Sequence, residues 1–278
     1  MRTLFNCSLL LLFVFPNTAV SEPQMTDDWD PSWSPVKDQI AFVSNRTGNS
    51  EVFVISLSEN KGITQLTKTT ASNSGPCWSP DGSQIVFYSS RDGNFEIYLM
   101  NADGSHQRRL TDDPAIDWDP SWTPDGRILF ESFRSGTPDL YLMDPRTGET
   151  TRLTHDIWRE AFPVWSPKDN RIVFASNRDG NWEIYSMRSN GIDLKQLTDG
   201  VGLSWRPAWS PDGKRLALES LRGDESDIAL ISSDGKIWYW LTNDVYRDSY
   251  PSWSPDGKKL IYASQREGRW VLIVKNVP

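Results

Sequence analysis

The sequence predicts an all-β fold, a six-bladed β-propeller built from four-stranded blades. Three observations predict it. Pro-x-Trp recurs at Trp33, Trp78, Trp122, Trp165, Trp209 and Trp253, at steps of 45, 44, 43, 44 and 44 residues. Each period divides into short alternating segments bounded by Gly, Pro, Asn and Asp turn signals. No stretch holds a helical period. A lone four-stranded unit cannot bury both faces of its sheet, whereas six stacked around an axis can.

Each blade reads in the same order. Pro-x-Trp-Ser is the first strand. Ser-Pro-Asp-Gly follows as a tight turn, in which Pro presets φ and Gly supplies the left-handed position. In repeat two, Gln84 to Tyr88 is the second strand, and the Arg91-Asp92-Gly93-Asn94 hairpin leads to the third strand at Glu96 to Met100. Asp103-Gly104-Ser105 then turns into the fourth, Arg108 to Thr111. The repeated Trp is expected as a wedge between neighbouring blades, burying about 150–250 Å² each.

Repeat six places its second strand at Lys259 to Ser264 and its third at Trp270 to Lys275, with no fourth-strand segment after them. An N-terminal strand is therefore expected to complete the last blade. Gln24-Met25-Thr26-Asp27 is similar to Gln196-Leu197-Thr198-Asp199, which nominates residues 23–27 for that strand.

The N-terminus itself reads as an export signal over residues 1–21. Arg2 is its one charge, Leu9 to Phe15 is an unbroken apolar run too short to span a bilayer, and Ala19-Val20-Ser21 precedes a cut before Glu22. The two domains expected are this signal and a propeller over residues 22–278. A periplasmic or secreted chain without a membrane span follows. Removing residues 1–21 leaves 28 Lys and Arg against 37 Asp and Glu, a formal charge of −9. So acidic a chain, without a basic stripe, argues against nucleic acid and anionic membrane surfaces. Cys77 alone remains after cleavage, so no intrachain disulfide can form. It sits beside Trp78 and reads as a small buried residue. A monomer is expected.

The Trp-Ser-Pro-Asp-Gly turn, the Ser-x-Arg-Asp-Gly hairpin and the Leu-Thr ending resemble the repeats of the TolB propeller. The resemblance implies an exported, non-enzymatic scaffold that binds a protein or peptide partner, a peptidoglycan-associated envelope protein among them, in envelope maintenance or transport. TolB proteins carry an α/β domain ahead of the propeller; here about a dozen residues separate Glu22 from Trp33. Similar blades occur in prolyl-oligopeptidase-type peptidases and in tricorn protease.

Two residue sets invite a functional reading. The hairpin arginines Arg46, Arg91, Arg134, Arg178, Arg222 and Arg266 are followed five residues later by Glu51, Glu96, Asp139, Glu183 and Asp227, with Val271 in repeat six. Ion pairs across each hairpin are expected. The connectors that enter the first strands vary instead. Asp28, Asp117, Glu160 and Asp248 lie five positions before their Trp, and Trp29, Trp118 and Trp205 four before. These seven residues are the expected ligand-binding set at the channel mouth, since scaffolds place function on loops. Carboxylates there would suit Ca²⁺ best among metals, although no Asp-x-Asp-x-Asp loop occurs and no cofactor is expected. No Gly-x-Ser-x-Gly elbow is present and only two His occur, which argues against nucleophilic catalysis. The alternative functions are a polysaccharide lyase or hydrolase, or a carbohydrate-binding propeller, with the site at the same mouth.

Overall fold

The computed structural model describes residues 9–10, 26–58, 62–199 and 202–278. Among them there is no helix, and the strands form six antiparallel four-stranded sheets. Strand β1 (Leu9–Leu10) precedes the blades. Blade one holds β2 (Asp28–Trp33), β3 (Gln39–Ser44), β4 (Glu51–Ser56) and β5 (Ile63–Gln65). Blade two holds β6 (Asn73–Trp78), β7 (Gln84–Ser89), β8 (Glu96–Asn101) and β9 (Arg108–Arg109). Blade three holds β10 (Asp117–Trp122), β11 (Ile128–Ser132), β12 (Asp139–Met143) and β13 (Thr150–Arg152). Blade four holds β14 (Glu160–Trp165), β15 (Arg171–Ser176), β16 (Glu183–Arg188) and β17 (Lys195–Gln196). Blade five holds β18 (Ser204–Trp209), β19 (Arg215–Arg222), β20 (Glu225–Ser232) and β21 (Trp238–Trp240). Blade six joins β22 (Arg247–Trp253), β23 (Lys259–Arg266) and β24 (Arg269–Asn276) to β1.

The second and third strands are buried on both faces and read as near-continuous apolar runs, such as Ile40-Ala41-Phe42-Val43 and Ile172-Val173-Phe174-Ala175. Six hydrophobic clusters fill the six seams, and the last joins Trp33, Ile40 and Phe42 of blade one to Ile261, Ala263 and Leu272 of blade six. The Trp wedge is confirmed by its hydrogen bonds. The indole N–H groups of Trp78, Trp122 and Trp253 donate to Ser32, Cys77 and Ala208 carbonyls of the preceding blade, each at 3.1 Å. At the closing seam the Trp33 amide donates to Ser252 Oγ at 2.9 Å.

The Leu-Thr ending has a repeated task. Thr67, Thr111, Thr154, Thr198 and Thr242 accept from the third-strand amides of Val52, Ile97, Leu140, Ile184 and Ile228 at 2.8–3.0 Å. Their hydroxyls donate to Glu51, Glu96, Asp139, Glu183 and Asp227. This corrects the expected hairpin pairing, because those acids serve the outer edge of the blade.

Among the described residues the strand that pairs with β24 is N-terminal, at Leu9–Leu10. Leu9 pairs with Val274 and Leu10 with Ile273. Residues 23–25 lie outside the described residues, and Thr26 and Asp27 belong to no strand. Reach keeps Thr26 itself out of the outer strand. Six residues separate the Thr from the next first strand elsewhere, as from Thr67 to Asn73, whereas Thr26 stands two before Asp28. A two-residue step spans at most about 7 Å, and crossing three strand spacings takes about 14 Å.

Candidate functional site

The first strands lie side by side around the axis, with β22 returning to β2. Each carries a bulge, seen as a register shift such as that between Trp29 and Ser32. At each bulge the residue before the repeat Pro has positive φ: Asp30 52°, Gly75 63°, Asp119 48°, Phe162 54°, Arg206 50° and Tyr250 58°. Pro biases its predecessor away from the right-handed helical region, and for bulky residues the left-handed region is costly. Five non-Gly residues held there around one axis, with Gly75 at the sixth place, are local strain of the kind that clusters at functional sites. The bulge turns these side chains inward, where Asp30, Asp119, Phe162, Arg206 and Tyr250 line a cavity of about 130 Å³ with four of the prolines and Val164.

The sixth place belongs to Tyr88. A Cβ on Gly75 would stand 2.5 Å from its ring, so Gly75 leaves room for a ring supplied by the second strand. The cavity is two-sided in chemistry. Blades one and three contribute Asp30 and Asp119, with Tyr88 of blade two set against Gly75; blades four to six contribute Phe162, Arg206 and Tyr250. The Arg206 guanidinium lies 4.7 Å from the Phe162 ring centre and 4.1 Å from that of Tyr250. It donates to Glu219 at 3.1 Å and to the Tyr250 hydroxyl at 3.3 Å, while its buried Nε has no partner. Glu219 also accepts from Ser249 Oγ.

Asp30 accepts from the Gly75 amide at 2.9 Å. Burial pushes its carboxyl up to about 6, against the pull of Arg206 and the Gly75 amide. Burial raises Asp119 as well, and Asp30 adds to the rise while Arg206 opposes it. Glu131, in the second strand opposite Trp118, is 3% exposed, and burial with the nearby Asp119 charge holds it above the ordinary carboxylate range. Asp30 and Asp119 are half-buried: protein surrounds them, yet they face the cavity.

The seven residues expected at the mouth make the following contacts. Asp28 binds Arg46 at 2.7 Å and Asp117 binds Arg134 at 2.6 Å; Glu160 pairs with Arg178. Asn73 takes the same place for Arg91 at 2.8 Å. Each of these guanidiniums also donates Nε–H to a strand-end serine and lies over an aromatic ring of its own blade, as Arg134 does with Ser132, Phe130 and Tyr141. Asp248 has no arginine, because Arg266 lies over Tyr246, and burial raises it to about 7. Trp29 covers the seam between blades one and six, Trp205 that between four and five, and Trp118 stands between Phe95 and Phe133. Among the described residues no group of three or more His, Cys, Asp or Glu is set to hold a metal ion. The Cys77 thiol is pushed up to about 11 by burial.

Sequence reasoning missed the inward ring, although its signal is present. The residue before an invariant Pro runs Asp, Gly, Asp, Phe, Arg, Tyr. The second-strand position that is Val43, Ala175 or Ala263 in three blades is Tyr88, Glu131 or Glu219 in the others.

Residues 18–201 and 201–277 match the family described as the TolB beta propeller domain. A 98-residue stretch, 35% of this chain, is 49% identical to the Tol-Pal system protein TolB of Bordetella pertussis; it spans 22% of that relative's length. A TolB-designated protein from Agrobacterium tumefaciens superposes with a TM-score of 0.72 at 26% identity, covering 92% of this chain and 91% of that one. An oligogalacturonate lyase from Vibrio parahaemolyticus superposes with a TM-score of 0.64 at 12% identity, covering 98% of both chains, which is a likeness of fold alone.

Proposed function

The chain belongs to the TolB beta-propeller family, and from that premise we propose that it is an exported, non-enzymatic scaffold that binds a protein or peptide partner at its central channel, in envelope maintenance or transport. The observation that carries this reading is the inward ring of strained residues before proline. It offers a partner segment two carboxylates on one side and two aromatic rings with a guanidinium on the other. Aromatic and arginine anchors at a recessed centre are the usual energetic core of a protein contact. A cavity of about 130 Å³ is smaller than the roughly 300–1,000 Å³ of small-molecule sites, and suits one inserted side chain. The curated relatives carry the name Tol-Pal system protein, which supports a periplasmic setting and a protein partner. Among the described residues no helix is long and apolar enough to cross a membrane.

A second reading, a lyase or hydrolase acting on a polysaccharide, rests on Asp119 and Glu131. Their raised carboxyls approach the range in which a general acid or base works at neutral pH. Capture from an envelope extract, run beside a glycan array and a turnover assay, separates the two. One envelope protein retained by the wild type and lost with Arg206→Ala supports the proposal. Glycan turnover lost with Glu131→Gln and no protein capture supports the second reading and overturns the first.

A further inference from the structure

Several buried carboxyls of this fold take a guanidinium from their own blade. Glu96 binds Arg109 at 2.7 Å, Asp139 binds Arg152 at 2.7 Å and Asp117 binds Arg134 at 2.6 Å. The two carboxyls that line the channel do not. Arg206, the guanidinium in that lining, is committed elsewhere: it pairs with Glu219 at 3.1 Å and lies against the Phe162 and Tyr250 rings. Asp30 keeps a hydrogen bond from the Gly75 amide, and among the described residues none reaches Asp119. Both are nevertheless turned inward, at φ 52° and 48°. Glu131, 3% exposed, acts on Asp119 from behind and is opposed by the Arg159 charge. Burial, with Asp30 and Asp119 nearby, holds the Tyr88 and Tyr250 phenols above their ordinary value, so both stay neutral. Four carboxyls thus act on one another at the ring, against the guanidiniums of Arg206 and Arg159.

We infer that the channel ring is built to receive a cation, and that its occupant is a lysine or arginine side chain projected by the partner, with the charged end on Asp30 and Asp119 and the stem along Phe162, Tyr250 and the ring prolines. This rests on the channel being the partner site and names what enters it. A buried carboxylate without a counter-charge is destabilising, and here the uncompensated pair faces open space rather than packed protein. A cation from outside supplies what the fold withholds. The wall beside the carboxyls is four prolines, Phe162, Val164 and Tyr250, which suits an alkyl stem behind a charged head. A bare divalent ion fits less well. It takes about six to eight oxygens, Arg206 shares the lining, and among the described residues no three His, Cys, Asp or Glu are set to hold one. An anion would have to draw Arg206 away from Glu219 and would meet two carboxyls.

The test uses the isotope-labelled full chain and reads the NMR signal of the Gly75 amide, whose hydrogen bond to Asp30 changes when a cation arrives. Butylguanidinium and butylammonium should each shift that signal saturably, and butanoate should not. Asp30 and Asp119 must be ionised to meet a cation, and burial holds both above the ordinary carboxylate range. Binding should therefore tighten about tenfold between about pH 5 and about pH 8. Asp119→Asn keeps the shape and should weaken it about tenfold or more. Saturation by Ca²⁺ without a response to either organic cation, a response to butanoate, or equal cation binding by Asp119→Asn overturns the inference. Capture from an envelope extract separates it from the channel reading. Loss of the captured protein with Arg206→Ala, but wild-type yield with the Asp30→Asn, Asp119→Asn double variant, overturns the cationic anchor and leaves the channel as the partner site. Loss in both, with the double variant folded by its melting curve, supports the anchor.

Discussion

The residue that bears most on the channel is Asp119. Its carboxyl is raised because burial penalises the charged form. A group whose folded pKa lies above its unfolded value contributes stability that is complete below the unfolded pKa and is lost as pH rises through the folded one. Asp119→Asn removes the charge and keeps the shape. The variant should therefore melt above the wild type at pH 8, and the advantage should fade as pH falls towards 4; thermal melts at the two values check it. Trp78 lies at a different kind of site. It is 4% exposed, and its indole donates across a seam. Trp78→Ala should destabilise by about 3–5 kcal/mol, as core Trp truncations do, read by denaturant titration.

Within a blade, the hairpin arginine and the connector acid act as one rivet. Asp117 is fully buried and takes its charge partner from Arg134. Arg134→Met should cost about 3 kcal/mol, because it leaves a buried carboxylate without compensation, and the loss should shrink in the double variant with Asp117→Asn. A double-mutant cycle reads that coupling. This rivet was half legible in the sequence. The repeat displayed both residue types, yet Arg46 seemed paired with Glu51, five residues on, rather than with Asp28, eighteen residues back. Strand pairing decides it: Asp28 stands opposite Ser44 at the hairpin base, while Glu51 turns to Thr67 at the outer edge. Linear spacing cannot show which edge of a sheet a side chain serves. The blades themselves were legible because turn chemistry and apolar alternation repeat six times. The channel ring was not, because a bulge reverses the alternation at the residue before each Pro, and a period of two then assigns that side chain to the wrong face.

Across the whole molecule, burial and hydrogen bonding divide the described carboxyls into two sets. Burial is the first cause of the rise in the first set: Asp30 and Asp117 stand at about 6, Glu160 and Asp248 at about 7. Turn aspartates run the other way. Hydrogen bonds from Ser79 to Asp81, from Arg146 to Asp144 and from Ser232 to Asp234 hold these carboxyls down at about 2. Stability should fall as pH rises from about 4 through about 7, as the first set ionises, and fall again below about 4, as the second is protonated. A melting series from pH 3 to 9 should peak between about 4 and 5; a maximum above neutrality would contradict the burial of that first set.

The channel ring as the partner site is most directly tested by a photocrosslinker placed on it. With p-benzoylphenylalanine at Phe162, which lines the cavity, irradiation in an envelope extract should yield one protein adduct. The same group at Tyr239, 50% exposed on the outer rim, should yield none. Adducts at Tyr239 without any at Phe162 would place the contact on the rim and contradict the account.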